Sequence, residues 1–163
     1  MRDADRGDAE MILKLYDLRR ETEMRKARKF VFDYEVNTIE DVKAIVSWSH
    51  PENAHFRQVT SYWGMVADFT ARGMLHPEMF AAHCGEALFL WSKFEALLPQ
   101  IRAEINPMFM VNIENAIKSH PAIEQKAAQV REMRAKMAAM PAAPKKGAPK
   151  KAGKATAKAK KGR

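Results

Sequence analysis

The C-terminal end sets the tightest limit on what this chain can fold into. From Pro141 onward it reads PAAPKKGAPKKAGKATAKAKKGR, with eight Lys, one Arg and no acid. Such a segment cannot bury enough apolar surface to offset the ~1–2 kcal/mol per residue of backbone ordering, so residues 141–163 are expected to form a disordered tail. Pro144, Pro149, Gly147, Gly153 and Gly162 discourage a helix there. Lys154–Lys161 nevertheless has enough Ala and Lys to become helical against a polyanion. The folded domain is thereby confined to residues 1–140.

The same boundary divides the charge. The formal net charge is +8, from 28 Lys and Arg against 20 Asp and Glu. Nine of the bases lie in the tail, which leaves 19 bases against all 20 acids in residues 1–140. The basic character therefore belongs to the tail. A body of this length allows one domain with a sizeable core. The single Cys excludes an intramolecular disulfide scaffold or a multi-thiolate zinc site. The start, Met1-Arg-Asp-Ala-Asp-Arg-Gly-Asp, is too charged for a signal peptide. No apolar run approaches the ~18–20 residues that span a bilayer. A cytoplasmic protein without a transmembrane segment is the expectation.

Periodicity in the body is helical throughout. Met11, Ile12, Leu15 and Leu18 share one face, as do Ala27, Phe30, Val31 and Tyr34; a break near residues 20–22 with Thr22 as its cap is favoured, and one continuous helix through residues 8–35 is the alternative. Thr38-Ile-Glu-Asp41 has a capping pattern and opens a short helix bearing Ile39, Val42, Ile45 and Val46. Phe56, Val59, Trp63 and Val66 form the next stripe, closed by Gly73 as a left-handed terminator. His76-Pro77-Glu78 starts a long apolar helix running past Trp91 and Phe94. Pro99, Pro107 and Pro121 are each placed in the first turn of a new helix. Strand signals are nearly absent, and the fold class is all-α, a compact multi-helix bundle.

The stretch Tyr62-Trp63-Gly64-Met65-Val66 through Gly73-Met74-Leu75-His76-Pro77-Glu78, followed by Leu90-Trp91 and Leu97-Leu98-Pro99, resembles an uncharacterised bacterial all-helical family catalogued only as a domain of unknown function. Leu18-Arg19-Arg20 and Arg28-Lys29-Phe30-Val31 fit its N-terminal half, so that the resemblance runs over roughly residues 12–120. It implies a helical fold and carries over no catalytic residue and no cofactor.

Some constellations have the form of chemical sites. Glu52 and His55 have the i, i+3 spacing of a helical metal ligand pair, and His83 and Glu86 offer the reverse order two turns after His76. A di-iron centre would need a second Glu-x-x-His, so no metal site is assigned. The expectation is that His50 and His76 serve at helix ends and that His83 is a partly buried core residue. Cys84 adjoins His83, but neighbours on a helix point about 100° apart, and a buried thiol is expected instead of a nucleophile. Met133, Met137 and Met140 line one edge of the last helix; they are expected to fill gaps in the core or to fray where the helix meets the tail, with an adaptable binding surface as the alternative. Arg19, Arg20, Arg25, Lys26, Arg28 and Lys29 are interleaved with Glu21 and Glu23. They are read as a solvated face with i, i+4 partners, with a second cationic surface for phosphate as the alternative.

The tail carries the functional signal. Lys145, Lys146, Lys150, Lys151, Lys154, Lys158, Lys160, Lys161 and Arg163 form a polyelectrolyte that binds polyanions by counterion release. It has no aromatic residue to stack on bases and no rigid element to enter a groove, so binding to nucleic acid would not depend on sequence. As a coil it would span about 25–30 Å. The expectation is a non-enzymatic binding or scaffold protein with nucleic acid as its partner. An anionic membrane surface or an acidic protein is the alternative partner, and a solubilising tail with no specific target is the remaining alternative. Two other readings stand beside it: a helical enzyme or metal carrier using Glu52, His55, His76, His83 and Glu86, and a homo-oligomeric structural module.

Overall fold

The computed structural model describes residues 2–139, and the tail assigned to residues 141–163 lies outside them. The described residues form an all-helical bundle. Helix α1 (Arg6–Arg20) begins at a reciprocal cap in which Asp5 accepts from the Asp8 backbone at 3.1 Å and Asp8 accepts from the Asp5 backbone at 2.9 Å. Helix α2 (Thr22–Asp33) follows after one residue. The break falls where expected, but Thr22 is already helical: the Glu21 carboxylate is the cap and accepts from the Met24 N–H at 2.9 Å.

Helix α3 (Ile39–Val46) opens on the Thr38–Asp41 capping box, as its sequence requires. Helix α4 (Asn53–Ala71) buries Phe56, Val59, Trp63 and Val66. It ends at Gly73, whose φ of 76° lets the Gly73 N–H reach the Thr70 carbonyl and the Met74 N–H reach the Phe69 carbonyl. These two bonds make a Schellman terminus, which a residue with a Cβ enters only under strain.

The apolar helix expected from Pro77 onward is two helices, α5 (Pro77–His83) and α6 (Gly85–Phe94). Cys84 sits between them at φ −110° and ψ 28°. Gly85 costs a helix interior about 1 kcal/mol relative to Ala, so the chain breaks there with little penalty. A 3-10 turn at Glu95–Leu97 leads into α7 (Leu98–Glu104), with Pro99 in its first turn. Pro107 starts no helix. Asn106 instead turns the chain, its side-chain oxygen accepting from the Met108 N–H at 2.9 Å, and Met110 enters the left-handed region at φ 54°. Helix α8 (Val111–Ser119) begins only then, and α9 (Pro121–Ala139) opens on its proline as expected.

Helix α4 packs between α2 and α8, while α9 lies across α5, α6 and α8. Helix α6 is enclosed: every residue from Ala87 to Phe94 is buried, Ser92 and Lys93 included. Trp63, Phe80, Leu88, Phe94, Ile113 and Ile123 are among the fully buried side chains. Each contributes roughly 1.5–3 kcal/mol by leaving water. Met133 and Met137 stay exposed on α9 and fill no gap, because its inward face is taken by Ile123, Ala127 and Val130. Met140 lies outside the described residues. No described helix is long and apolar enough to cross a membrane.

Candidate functional site

The nine basic tail positions, Lys145 to Arg163, are outside the described residues, so the geometry concerns the body. The His and Glu side chains singled out in the sequence go to separate places. His55 pairs with Glu52 at 2.5 Å through Nδ1 and lies 3.7 Å from Glu23 through Nε2. His76 caps α5 by accepting from the Glu78 N–H, and its other nitrogen meets the Arg2 carbonyl at 3.1 Å. His83 is exposed and does not join the core. The short helix α5 ends with it, so it faces solvent and not a neighbouring helix. Among the described residues no three His, Cys, Asp or Glu side chains stand close enough to hold a metal ion. Cys84 is buried, and loss of hydration pushes its thiol up to about 12. A thiol so placed is almost wholly protonated near neutrality and is a poor nucleophile.

Glu86 does something the spacing did not indicate. It projects from the first turn of α6 towards α1, α2 and α4. Arg28 of α2 grips it with Nη2 at 2.6 Å and Nε at 2.8 Å. Arg19 of α1 reaches it at 3.2 Å, and the Trp63 indole N–H donates to it at 3.3 Å. The bond to Glu86 is also the main reason that Arg28 holds its proton more tightly than usual. Arg28 further donates to the Arg19 carbonyl at 3.3 Å, which ties the end of α1 to α2. The Arg19 guanidinium lies 4.9 Å from the Tyr16 ring centre and 5.2 Å from that of Trp63.

These contacts divide the basic segment in two. Lys26 and Lys29 form the expected helix-surface pairs, with Glu23 and Asp33. Arg19 and Arg28 instead turn inward. With Arg20 and Arg25 they line an open cleft of about 670 Å³ between α1 and α2. Leu13, Tyr16 and Asp17 complete its walls.

Lys93, two turns after Glu86 on α6, is itself buried. Its ammonium donates to the carbonyls of Val31, Phe32 and Tyr34 at 2.7–2.8 Å, at the C-terminal end of α2. Burial pulls it down to about 8, Glu35 opposing and Arg134 assisting. It borders a cavity of about 420 Å³ where Phe32 stacks on Phe89 at 4.2 Å and Arg134 forms one wall. The signal for both charges was present in the sequence: Glu86 is the only acid and Lys93 the only base of the most apolar helix, and an ion taken out of water there needs compensation. Nothing local named the partners.

The described residues define an all-helical protein in which four arginines line one cleft between α1 and α2. Residues 6–119 match the family model described as Domain of unknown function (DUF4760), and the chain belongs to that family. The match covers nearly the same stretch that carried the resemblance. No curated protein and no solved structure matches the chain.

Proposed function

We propose that this is a non-enzymatic binding or scaffold protein of the bacterial cytoplasm whose basic tail engages polyanions, with nucleic acid bound irrespective of base sequence. One observation carries the reading. Residues 141–163 hold nine positive charges and no acid, whereas residues 1–140 are balanced to within one charge. Segregation of this kind directs a polyanion to one end of the molecule. If about five of the charges neutralise phosphates together, the slope of log K against log salt is about −4.5 for duplex DNA. Raising salt from about 50 to 200 mM then weakens binding roughly 500-fold.

The test is a salt titration of the full-length chain on two duplexes of unrelated sequence. The expected result is the same steep slope on both, made shallower when Lys145, Lys146, Lys150 and Lys151 are replaced by Gln. A protein that ignores DNA at low salt, or a slope unchanged by these replacements, overturns the reading.

A further inference from the structure

We propose that the cleft between α1 and α2 is a binding site for a phosphate-bearing ligand, held by Arg20 and Arg25 at its mouth and by Arg19 and Arg28 behind them. The site is distinct from the tail and stands or falls separately from it.

Arginine alone supplies the positive charge that lines the cleft. The two helices carry Lys as well as Arg, yet all four basic side chains in the cleft are Arg. Guanidinium presents a planar fork that matches two phosphate oxygens, whereas an ammonium is a point charge. Lys26 and Lys29, on the same helix as Arg25 and Arg28, are paired with Glu23 and Asp33 at the surface.

Charge is the second element. Four guanidiniums face one lining carboxylate, Asp17, with Glu86 shared by Arg19 and Arg28 behind. Two positive charges are left over. Arg20 and Arg25 are exposed and make no ion pair among the described residues. A doubly charged anion would balance the cluster.

The third element is preorganisation. Arg28 is fixed by three bonds to one carboxylate, and Arg19 is fixed against the Tyr16 and Trp63 rings. Arg19 holds this position although its buried Nε–H has no acceptor. Side chains already fixed lose little freedom when a ligand arrives. Leu13 and Tyr16, both substantially exposed, give the cleft an apolar wall beside the cations. That wall suits the sugar or base next to a phosphate better than it suits a bare inorganic ion.

The phosphate could belong to a nucleic-acid backbone or to a free phosphorylated small molecule, and one experiment separates them. Inorganic tripolyphosphate and a short DNA duplex are titrated by calorimetry into the full-length protein, into Arg20→Gln/Arg25→Gln, and into the variant with the four tail Lys replaced by Gln. Both Arg positions are exposed and Gln is a good helix former, so an unchanged melting temperature is expected. The wild type should bind tripolyphosphate in a tight class at the cleft and a weaker class on the tail Lys, and the Arg variant should weaken the tight class by roughly 100-fold, about tenfold for each charge-assisted hydrogen bond removed. Tail replacement should diminish only the weaker class. A parallel loss of duplex affinity in the Arg variant assigns the cleft to nucleic-acid backbone, and a loss confined to tripolyphosphate assigns it to a small phosphorylated molecule. No tripolyphosphate binding by the wild type, or equal binding by the wild type and the Arg variant, overturns the site. Duplex binding insensitive to the tail replacements but abolished in the Arg variant would overturn the tail reading and leave the cleft standing.

Discussion

Glu86 and Lys93 lie seven positions apart on α6, both inside the bundle and both directed at α2, yet their charges are compensated in opposite ways. Glu86 meets two full positive charges and an indole N–H. Lys93 meets three backbone carbonyls and no carboxylate within ion-pair distance among the described residues. The first arrangement places charge against charge. The second places charge against the partial negative charge that gathers where a helix ends. At Glu86 the surplus lies on the guanidinium side, so the region stays cationic and open to an anion. At Lys93 the carbonyls are satisfied and the ammonium is enclosed. Glu86 thus draws two guanidiniums together, and Lys93 closes a helix terminus.

The largest expected effect is at Glu86. Glu86→Gln keeps the shape and removes the charge, leaving two poorly hydrated guanidiniums without their counter-ion. A loss of about 3 kcal/mol in urea unfolding is expected, at the low end for a broken buried pair because Arg28 retains some solvent contact. A loss under about 1 kcal/mol would show that the cluster is held by packing alone and would dissolve the contrast with Lys93.

Lys93→Met should cost less, about 2 kcal/mol, since it orphans carbonyls that can accept from water as α2 frays. Its pH dependence sharpens the comparison. Lys93 sits near 8 in the fold against an ordinary value of 10.5. Between these values the unfolded chain still binds the proton that the native chain has released, so this group's contribution to stability rises as pH increases from 8 to 10.5. The gap between wild type and variant should therefore widen between about pH 7 and 9.5 when urea midpoints are compared. Burial of Cys84 raises its thiol and acts in the opposite sense above about pH 9, but it is common to both proteins and cancels. A constant gap would mean that the three carbonyls keep the ammonium charged throughout.

Asp8 tests whether the Glu86 arrangement is general. It takes a two-point grip from Arg2 at 2.6 and 2.7 Å and accepts from the His76 N–H at 2.7 Å. The bond to Arg2 holds its carboxyl well below the ordinary carboxylate range. The resulting stability is present above pH 3.8 and disappears as pH falls towards the lower native value. The deficit of Asp8→Asn should accordingly be full at neutral pH and shrink below about pH 4. A deficit independent of pH would assign the role of Asp8 to shape and not to charge.

The smallest effect has the opposite sign and provides a baseline. Gly64 lies next to Trp63 on α4, and a Cβ built there meets nothing within 4 Å. Gly64→Ala should raise stability by about 0.5–1 kcal/mol by restricting the unfolded chain, touching neither buried charge. A loss instead would show that the α4 neighbourhood of Glu86 tolerates no change at all.

The parts of this fold legible in the sequence share one property: their causes act over a few residues. The Thr38–Asp41 box, the terminus at Gly73, the Pro77 and Pro121 starts and the buried stripe of α4 each arise from atoms within a turn or two. Where the structure departs from the sequence expectation, a nearby alternative was equally local. At Pro107 the Asn106 turn won over a helix start, and at Cys84 the following glycine made a break easy. Arg19 and Arg28 depart for another reason. Their i, i+4 neighbours were visible, but Glu86 stands 67 and 58 residues away.

The sequence alone therefore determined an all-helical body, its main caps and stripes, and the separation of a neutral body from a basic tail. These follow from backbone periodicity, from orphaned helix-end groups and from charge counting, none of which needs a third dimension. Only the tertiary structure decided that four arginines of α1 and α2 share one cleft, that Glu86 positions two of them, and that Lys93 closes the end of α2. Burial makes an ion demand a partner, and which partner is supplied depends on which helices pack together.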